Sequence, residues 1–140
     1  MKRIRKFARL PAAERHLVIR AATVVGLMRL GLWFFSFRRI SALLRRRRPR
    51  LRPANAASPE RIGWAIRVAS RYLPGATCLV QALAGLVLLE GAGLPARLYI
   101  GVARNDQTPF RAHAWVKSQD NVIVGGHELQ QYVPLWVWEG

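Results

Sequence analysis

The stretch TCLVQALAGLVLLEGAGLPARLYIGV, residues 77–102, decides the fold, because its hydrophobic period changes part-way along. Over residues 78–89 the residues are apolar on nearly every side of a helix, and such a helix must be buried centrally. Thr77 can cap its start, and Gly91 and Gly93 end it. After Pro95, Leu98, Ile100 and Val102 alternate with Tyr99, Gly101 and Ala103, which is the period of a strand. The same stretch holds the only cysteine in the chain, Cys78, at the start of the buried helix.

Downstream, residues 110–118 read as a second strand and residues 121–124 as a third. Residues 104–109 (RNDQTP) and 119–120 form the turns, so the three strands make an antiparallel meander. The tail, with Tyr132, Leu135, Trp136 and Trp138, is expected to pack back on the domain.

Upstream, Ser58-Pro59-Glu60 combines a capping serine, a proline at the first helical position and an acid in the first turn. Ile62, Ala65, Ile66, Ala69 and Tyr72 then form one apolar stripe, and Pro74-Gly75 stops the helix. An earlier helix is predicted over residues 11–37, with Pro11 in its first turn and a bend near Gly26 or Gly31. A short second helix follows over residues 38–46, and residues 49–58 (PRLRPANAAS) read as a linker. The chain reads as α+β, with helices leading into a small antiparallel sheet.

The charge is very uneven. Of 23 Lys and Arg residues, 16 lie in residues 1–53 beside a single acid, Glu14, whereas residues 54–140 hold seven bases and six acids. This divides the chain into a basic helical lead-in, residues 1–53, and a nearly neutral folded unit, residues 54–140. The lead-in calls for an electrostatic partner: an acidic peptide or protein, or an anionic membrane surface. No nucleic-acid motif accompanies the charge, so nucleic acid is the weakest candidate. A run such as residues 45–48 also has the plain reading of a solvated segment after a helix.

Residues 17–40 are apolar enough to suggest a membrane span but contain Arg20, Arg29, Arg38 and Arg39. Each central arginine would cost about 2.5–3.5 kcal/mol to insert. A helix lying on a membrane surface, or packed on the domain or a partner, fits better. No small-residue cleavage site follows the basic start, which argues against a signal peptide. A lone cysteine excludes an internal disulfide framework and fits a cytoplasmic setting. The basic segment would there dock on a partner protein or lie peripherally at the inner membrane.

Cys78 has two readings. At a helix start, unpaired N–H groups and the helix dipole stabilise negative charge on sulfur and make the thiol a usable nucleophile. Otherwise it is a small core residue. His113, in FRAHAWVKS, sits mid-strand between Ala112 and Ala114, whose small size leaves room beside the ring. Alternation puts His113 and Trp115 on one face. A helix-start cysteine followed by a strand histidine is the arrangement of papain-like and transglutaminase-like thiol enzymes.

CLVQALAGLVLLEGAGLPARLYIGV, FRAHAWVK and VIVGG together resemble the B2 proteins of lasso-peptide biosynthesis, which are transglutaminase-like cysteine peptidases. The helical LVIRAATVVGLMRLGLWFFSFRRISALLRRR is similar to that family's lead-in. The resemblance implies a transglutaminase-like core and Cys78–His113 catalysis that removes the leader from a precursor peptide. It also implies a separate leader-recognition protein of B1 type and an ATP-dependent, asparagine-synthetase-like cyclase that closes the lactam. The family often carries an acid twelve residues after the histidine, where this chain has Gly125. Lys117 likewise stands where an acid usually follows His-Ala-Trp-Val. Asp120 is then the candidate third catalytic group, with Glu128 as a fallback and His127 read as a loop residue. A backbone carbonyl or a glutamine side chain is the alternative means of orienting the ring.

Two rival functions remain. The Cys–His pair could pass its acyl group to an amine in acyltransferase or transglutaminase-type chemistry. Alternatively, the chain is a non-enzymatic, basic membrane-surface scaffold in which Cys78 is core. One cysteine and three dispersed histidines give no metal-ligand spacing, and there is no Gly-rich phosphate loop, so no cofactor is expected.

Overall fold

The structure is a computed structural model that describes residues 5, 8–45, 57–73, 75, 77–103, 112–126 and 132–139. Among these residues four helices, α1 (Ala12–Phe34), α2 (Phe37–Arg45), α3 (Pro59–Tyr72) and α4 (Cys78–Gly91), precede four strands. The strands are β1 (Arg97–Ala103), β2 (Ala112–Ser118), β3 (Asn121–Val124) and β4 (Tyr132–Glu139). They form one antiparallel sheet in the order β3-β2-β1-β4. The architecture is the expected α+β.

Each helix start has a local cause. The Ser58 hydroxyl accepts from Arg61 N at 3.3 Å, with Pro59 opening α3. The Thr77 hydroxyl accepts from Val80 N at 3.4 Å and so caps α4. Pro11 stands just outside α1 as its N-cap residue. α1 is helical through Gly26 and Gly31, and the break before α2 falls at Phe35 and Ser36, slightly before the expected end at residue 37. The extended backbone of Phe35 ends α1, and the Ser36 hydroxyl accepts from Arg39 N at 3.4 Å, starting α2.

The core lies between the helices and one face of the sheet. Ile62, Ile66, Leu83, Leu86 and Leu89 are fully buried with Leu98 and Val116. Gly63 lets α3 approach β3 closely, because a Cβ there would lie 2.6 Å from the Ile123 carbonyl oxygen. Arg67 donates to that same oxygen at 3.2 Å.

The lead-in is not a separate body. Val18, Ala21 and Val25 of α1 are buried in the same core, and Glu14 pairs with Arg61 of α3 at 3.1 Å. The boundary at residue 53 is therefore a boundary of charge, not of packing. By length and composition alone α1 is long and apolar enough to cross a membrane. The linker and the 104–109 turn fall mainly outside the described residues, as do His127 and Glu128.

The tail is a strand. β4 pairs with β1 from Arg97↔Glu139 to Ala103↔Tyr132, with a register shift between Ile100 and Gly101 opposite Pro134. Proline lacks the N–H that a ladder needs, so it is confined to edges and irregularities. β4 is an edge strand, and Pro134 lies beside the irregularity.

Candidate active site

Cys78 is the first residue of α4 and half-buried. The turn before it is fixed from two sides. Thr77 N donates to Gly75 O at 2.9 Å, and Arg29 of α1 donates from Nη1 to the same oxygen at 2.9 Å. Gly75 has φ +78°, a left-handed conformation that suits glycine. Thr77 satisfies Val80 N, and Gln81 N begins the helical ladder to Thr77 O at 3.0 Å. The N–H groups of Cys78 and Leu79 belong to the first turn and have no intrahelical acceptor, so they face outward at the helix tip. A cavity of about 250 Å³, lined by Arg29, Leu32, Trp33, Gly75, Thr77 and Val80, opens beside this tip.

Cys78 lies two helical turns before Gly85 and on the same face. At Gly85 an added Cβ would meet Val116 and Val124 of the sheet at 3.8 and 3.2 Å. Residues 92–96 reverse the chain, so β1 runs back along α4 and β2 runs in the helix direction. Seven helical residues span roughly 10 Å, and so do three strand residues. Stepping back from the Gly85–Val116 contact by those amounts reaches Cys78 on the helix and His113 on β2. With helix and strand taken as parallel, these ideal rises carry Cys78 and His113 toward the same end of the helix–sheet layer.

They do not stand on the same side of β2. Ala114 and Val116 are in the helix-facing core, paired across the sheet with Ile100 and Leu98. Alternation turns His113, Trp115 and Lys117 to the other face, where they pair with Gly101, Tyr99 and Arg97. On that face the rings stack in a row. Tyr99 lies 5.5 Å from Trp115, Trp115 lies 5.9 Å from His113, and Tyr132 of β4 lies 4.9 Å from His113. Lys117 Nζ sits 5.4 Å above the Tyr99 ring. Gly101 leaves the space that the Trp115 indole fills.

His113 Nε2 lies 2.7 Å from Gly125 O. A carbonyl oxygen can only accept, so Nε2 carries the hydrogen and, in the neutral ring, Nδ1 keeps its lone pair. This bond survives when the ring gains a second proton, so His113 can take up and release a proton at Nδ1 without losing its anchor. Among the described residues no hydrogen bond joins Cys78 Sγ to the ring. Among the described residues, then, the ring and the helix that carries the thiol lie on different sides of β2.

Asp120 is not brought to this site. It is exposed in the turn after β2, beyond Ser118, and five strand residues, roughly 16 Å, separate Ser118 from His113. The oxygen that orients the ring belongs to Gly125, the position where the resemblance to the lasso-peptide B2 proteins implies an acid. Lys117 lies on the same face as His113 but next to Tyr99. Sequence reasoning missed Tyr132, which reaches His113 only through the unexpected β4 pairing. No group of three or more His, Cys, Asp or Glu able to hold a metal is found among the described residues.

A family model described as the transglutaminase-like superfamily matches residues 22–137. The chain belongs to the transglutaminase-like superfamily. Its members are typically cysteine-dependent enzymes, with peptidase or acyl-transfer chemistry. The transglutaminase-like match begins within α1, in keeping with the burial of that helix in the common core. Comparison with curated proteins and with solved structures gives no match.

Proposed function

We propose that this transglutaminase-like chain is a leader peptidase of lasso-peptide biosynthesis, cutting a ribosomal precursor by Cys78–His113 thiol catalysis. The observation that carries the reading is a half-buried thiol at the tip of a buried helix in a transglutaminase-like chain. The ring of His113, held at Nε2 by Gly125 O on the other face of β2, must turn toward that thiol for the pair to act. The combined Cys-Leu, Ile-Gly-Val and His-Ala-Trp-Val elements support the choice of substrate.

In the reaction, His113 Nδ1 takes the Cys78 proton and the sulfur attacks the carbonyl carbon of the leader's last residue. The tetrahedral oxyanion is stabilised by the free N–H groups at the helix tip. His113 returns the proton to the core amine as the C–N bond breaks, leaving a leader thioester. Water, deprotonated by His113, then releases the leader acid and restores the thiol. The freed amine passes to a separate ATP-dependent cyclase, and a separate leader-recognition protein presents the precursor.

The test mixes the full chain with a lasso precursor peptide and its leader-binding protein and reads the products by mass spectrometry. The expected products are the leader acid and the free core, and a Cys78→Ala protein yields neither. An amine-capped leader would assign acyl transfer instead. An intact precursor, or cleavage by Cys78→Ala at the wild-type rate, would end the peptidase reading.

A further inference from the structure

α1 carries two apolar faces, and the core uses only one of them. Val18, Ala21 and Val25 are buried against α3 and α4. On the opposite side Ile19, Thr23, Leu27, Leu30 and Phe34 recur every three or four residues, a stripe roughly 22 Å long. Leu27 is 60% exposed, Phe34 73% and the neighbouring Trp33 77%. Phe35 and, on α2, Leu43 continue the exposed apolar surface past the helix break. A contiguous apolar surface of this kind marks an interaction site rather than an ordinary solvated face.

Among the described residues of α1 and α2, the exposed charges around it are of one sign. Arg15 and Arg20 are exposed on α1, and Arg38 and Arg39 are exposed on α2 just beyond the aromatic end. The only acid in residues 1–53, Glu14, is engaged by Arg61. Trp33 and Phe34 pack together, ring centroids 5.6 Å apart, next to those arginines. Apolar and aromatic side chains flanked by arginine suit the boundary between lipid headgroups and acyl chains, and the positive field selects anionic lipid.

A crossing orientation conflicts with the packing. It would withdraw Val18, Ala21 and Val25 from the core, break the Glu14–Arg61 and Arg29–Gly75 contacts, and bring Arg20 into hydrocarbon. We propose that the outer face of α1 lies flat on an anionic phospholipid surface. Leu27, Leu30, Trp33 and Phe34 enter the acyl boundary, and Arg20, Arg38 and Arg39 meet the phosphates. The inference stands apart from the catalytic reading and holds whether or not Cys78 is a nucleophile.

The experiment is co-sedimentation of the full chain with vesicles of phosphatidylcholine alone or with roughly a quarter phosphatidylglycerol, at low and high salt. The chain is expected to pellet with the anionic vesicles, less so at high salt, and to stay in solution with the neutral ones. Joint replacement Leu30→Ser and Phe34→Ser, or separately Arg38→Gln and Arg39→Gln, should each lower the bound fraction on the order of tenfold. All four side chains are exposed, and circular dichroism should show both variants folded. No binding, equal binding to both vesicles, or binding unchanged in both variants overturns the proposal. So does a lipid-free dimer, seen by light scattering, that the Leu30→Ser and Phe34→Ser variant dissociates, since the face would then belong to a second copy.

Discussion

His113 donates from Nε2 to the main-chain oxygen of Gly125 at 2.7 Å, while Trp115 and Tyr132 stack on the same ring. Among the described residues the imidazole is thus oriented by a neutral oxygen and two aromatic walls. A neutral acceptor stabilises the imidazolium less than a carboxylate does, but it fixes the tautomer equally well.

The first prediction concerns coupling between the two candidate catalytic groups. If Cys78 and His113 meet at the start of β2, His113→Ala should slow iodoacetamide alkylation of Cys78 in the folded protein. It should also lower peptidase turnover by about 10²–10⁴-fold, the usual contribution of a positioned acid–base group. Equal alkylation rates in both proteins would mean that the opposite orientations seen on β2 persist in solution. The thiol and the imidazole would then not act together.

Position 125 gives the second prediction. Gly125 has φ +82°, and a Cβ there would lie 2.6 Å from Ala114 O and 3.0 Å from Trp115 Cβ. Restoring an acid by Gly125→Asp therefore cannot simply rebuild a triad. It forces a left-handed backbone onto a side chain and pushes the strand that holds the histidine. Gly125→Ala and Gly125→Asp should each lose about 1–3 kcal/mol in urea unfolding. Both should also lose activity, because the carbonyl that anchors Nε2 must move. Unchanged midpoints would show that the turn relaxes freely.

Much of this arrangement was legible in the sequence. Ser58-Pro59-Glu60, Thr77 and the change of period after Pro95 fixed α3, α4 and β1 because each is a local signal. Residues 119–120 likewise separated β2 from β3. The tail was legible only as something that packs back, since β4 is created by pairing with β1, some thirty residues earlier, and Pro134 obscures its pattern. That pairing alone delivers Tyr132 to His113. The Gly125 carbonyl was equally out of reach, because a main-chain acceptor leaves no side-chain signature. Asp120 looked suitable by proximity in sequence, but a strand carries it to the wrong end of the sheet.

The third prediction concerns the cap of α4. Thr77→Ala removes the acceptor for Val80 N and should cost about 1 kcal/mol, read as a lower unfolding midpoint. Because Cys78 is the next residue, the loss should also reduce alkylation of the folded thiol, whereas the matching Ser58→Ala at the start of α3 should lower stability alone. Similar effects of both variants on alkylation would show that the cap stabilises the fold without shaping the thiol's surroundings.

Arg29 and Gly75 make the last prediction. The guanidinium of Arg29 reaches from α1 to Gly75 O, and a Cβ on Gly75 would collide with that guanidinium. The link therefore joins the lead-in helix to the turn that presents Cys78, and it forms one wall of the 250 Å³ cavity beside the helix tip. Arg29→Met keeps the alkyl stem but removes the donors, so stability should fall only by about 0.5–1.5 kcal/mol, the net value of one hydrogen bond. Turnover should fall further than that loss of stability accounts for, because the turn before the nucleophile is freed while the core of α1 stays packed. Gly75→Ala should be worse on both measures, since it combines the collision with a left-handed φ. Introducing Arg29→Met alongside Gly75→Ala should recover part of the stability by removing the clash. A double variant no more stable than Gly75→Ala alone would mean that backbone strain, not the arginine contact, dominates this turn.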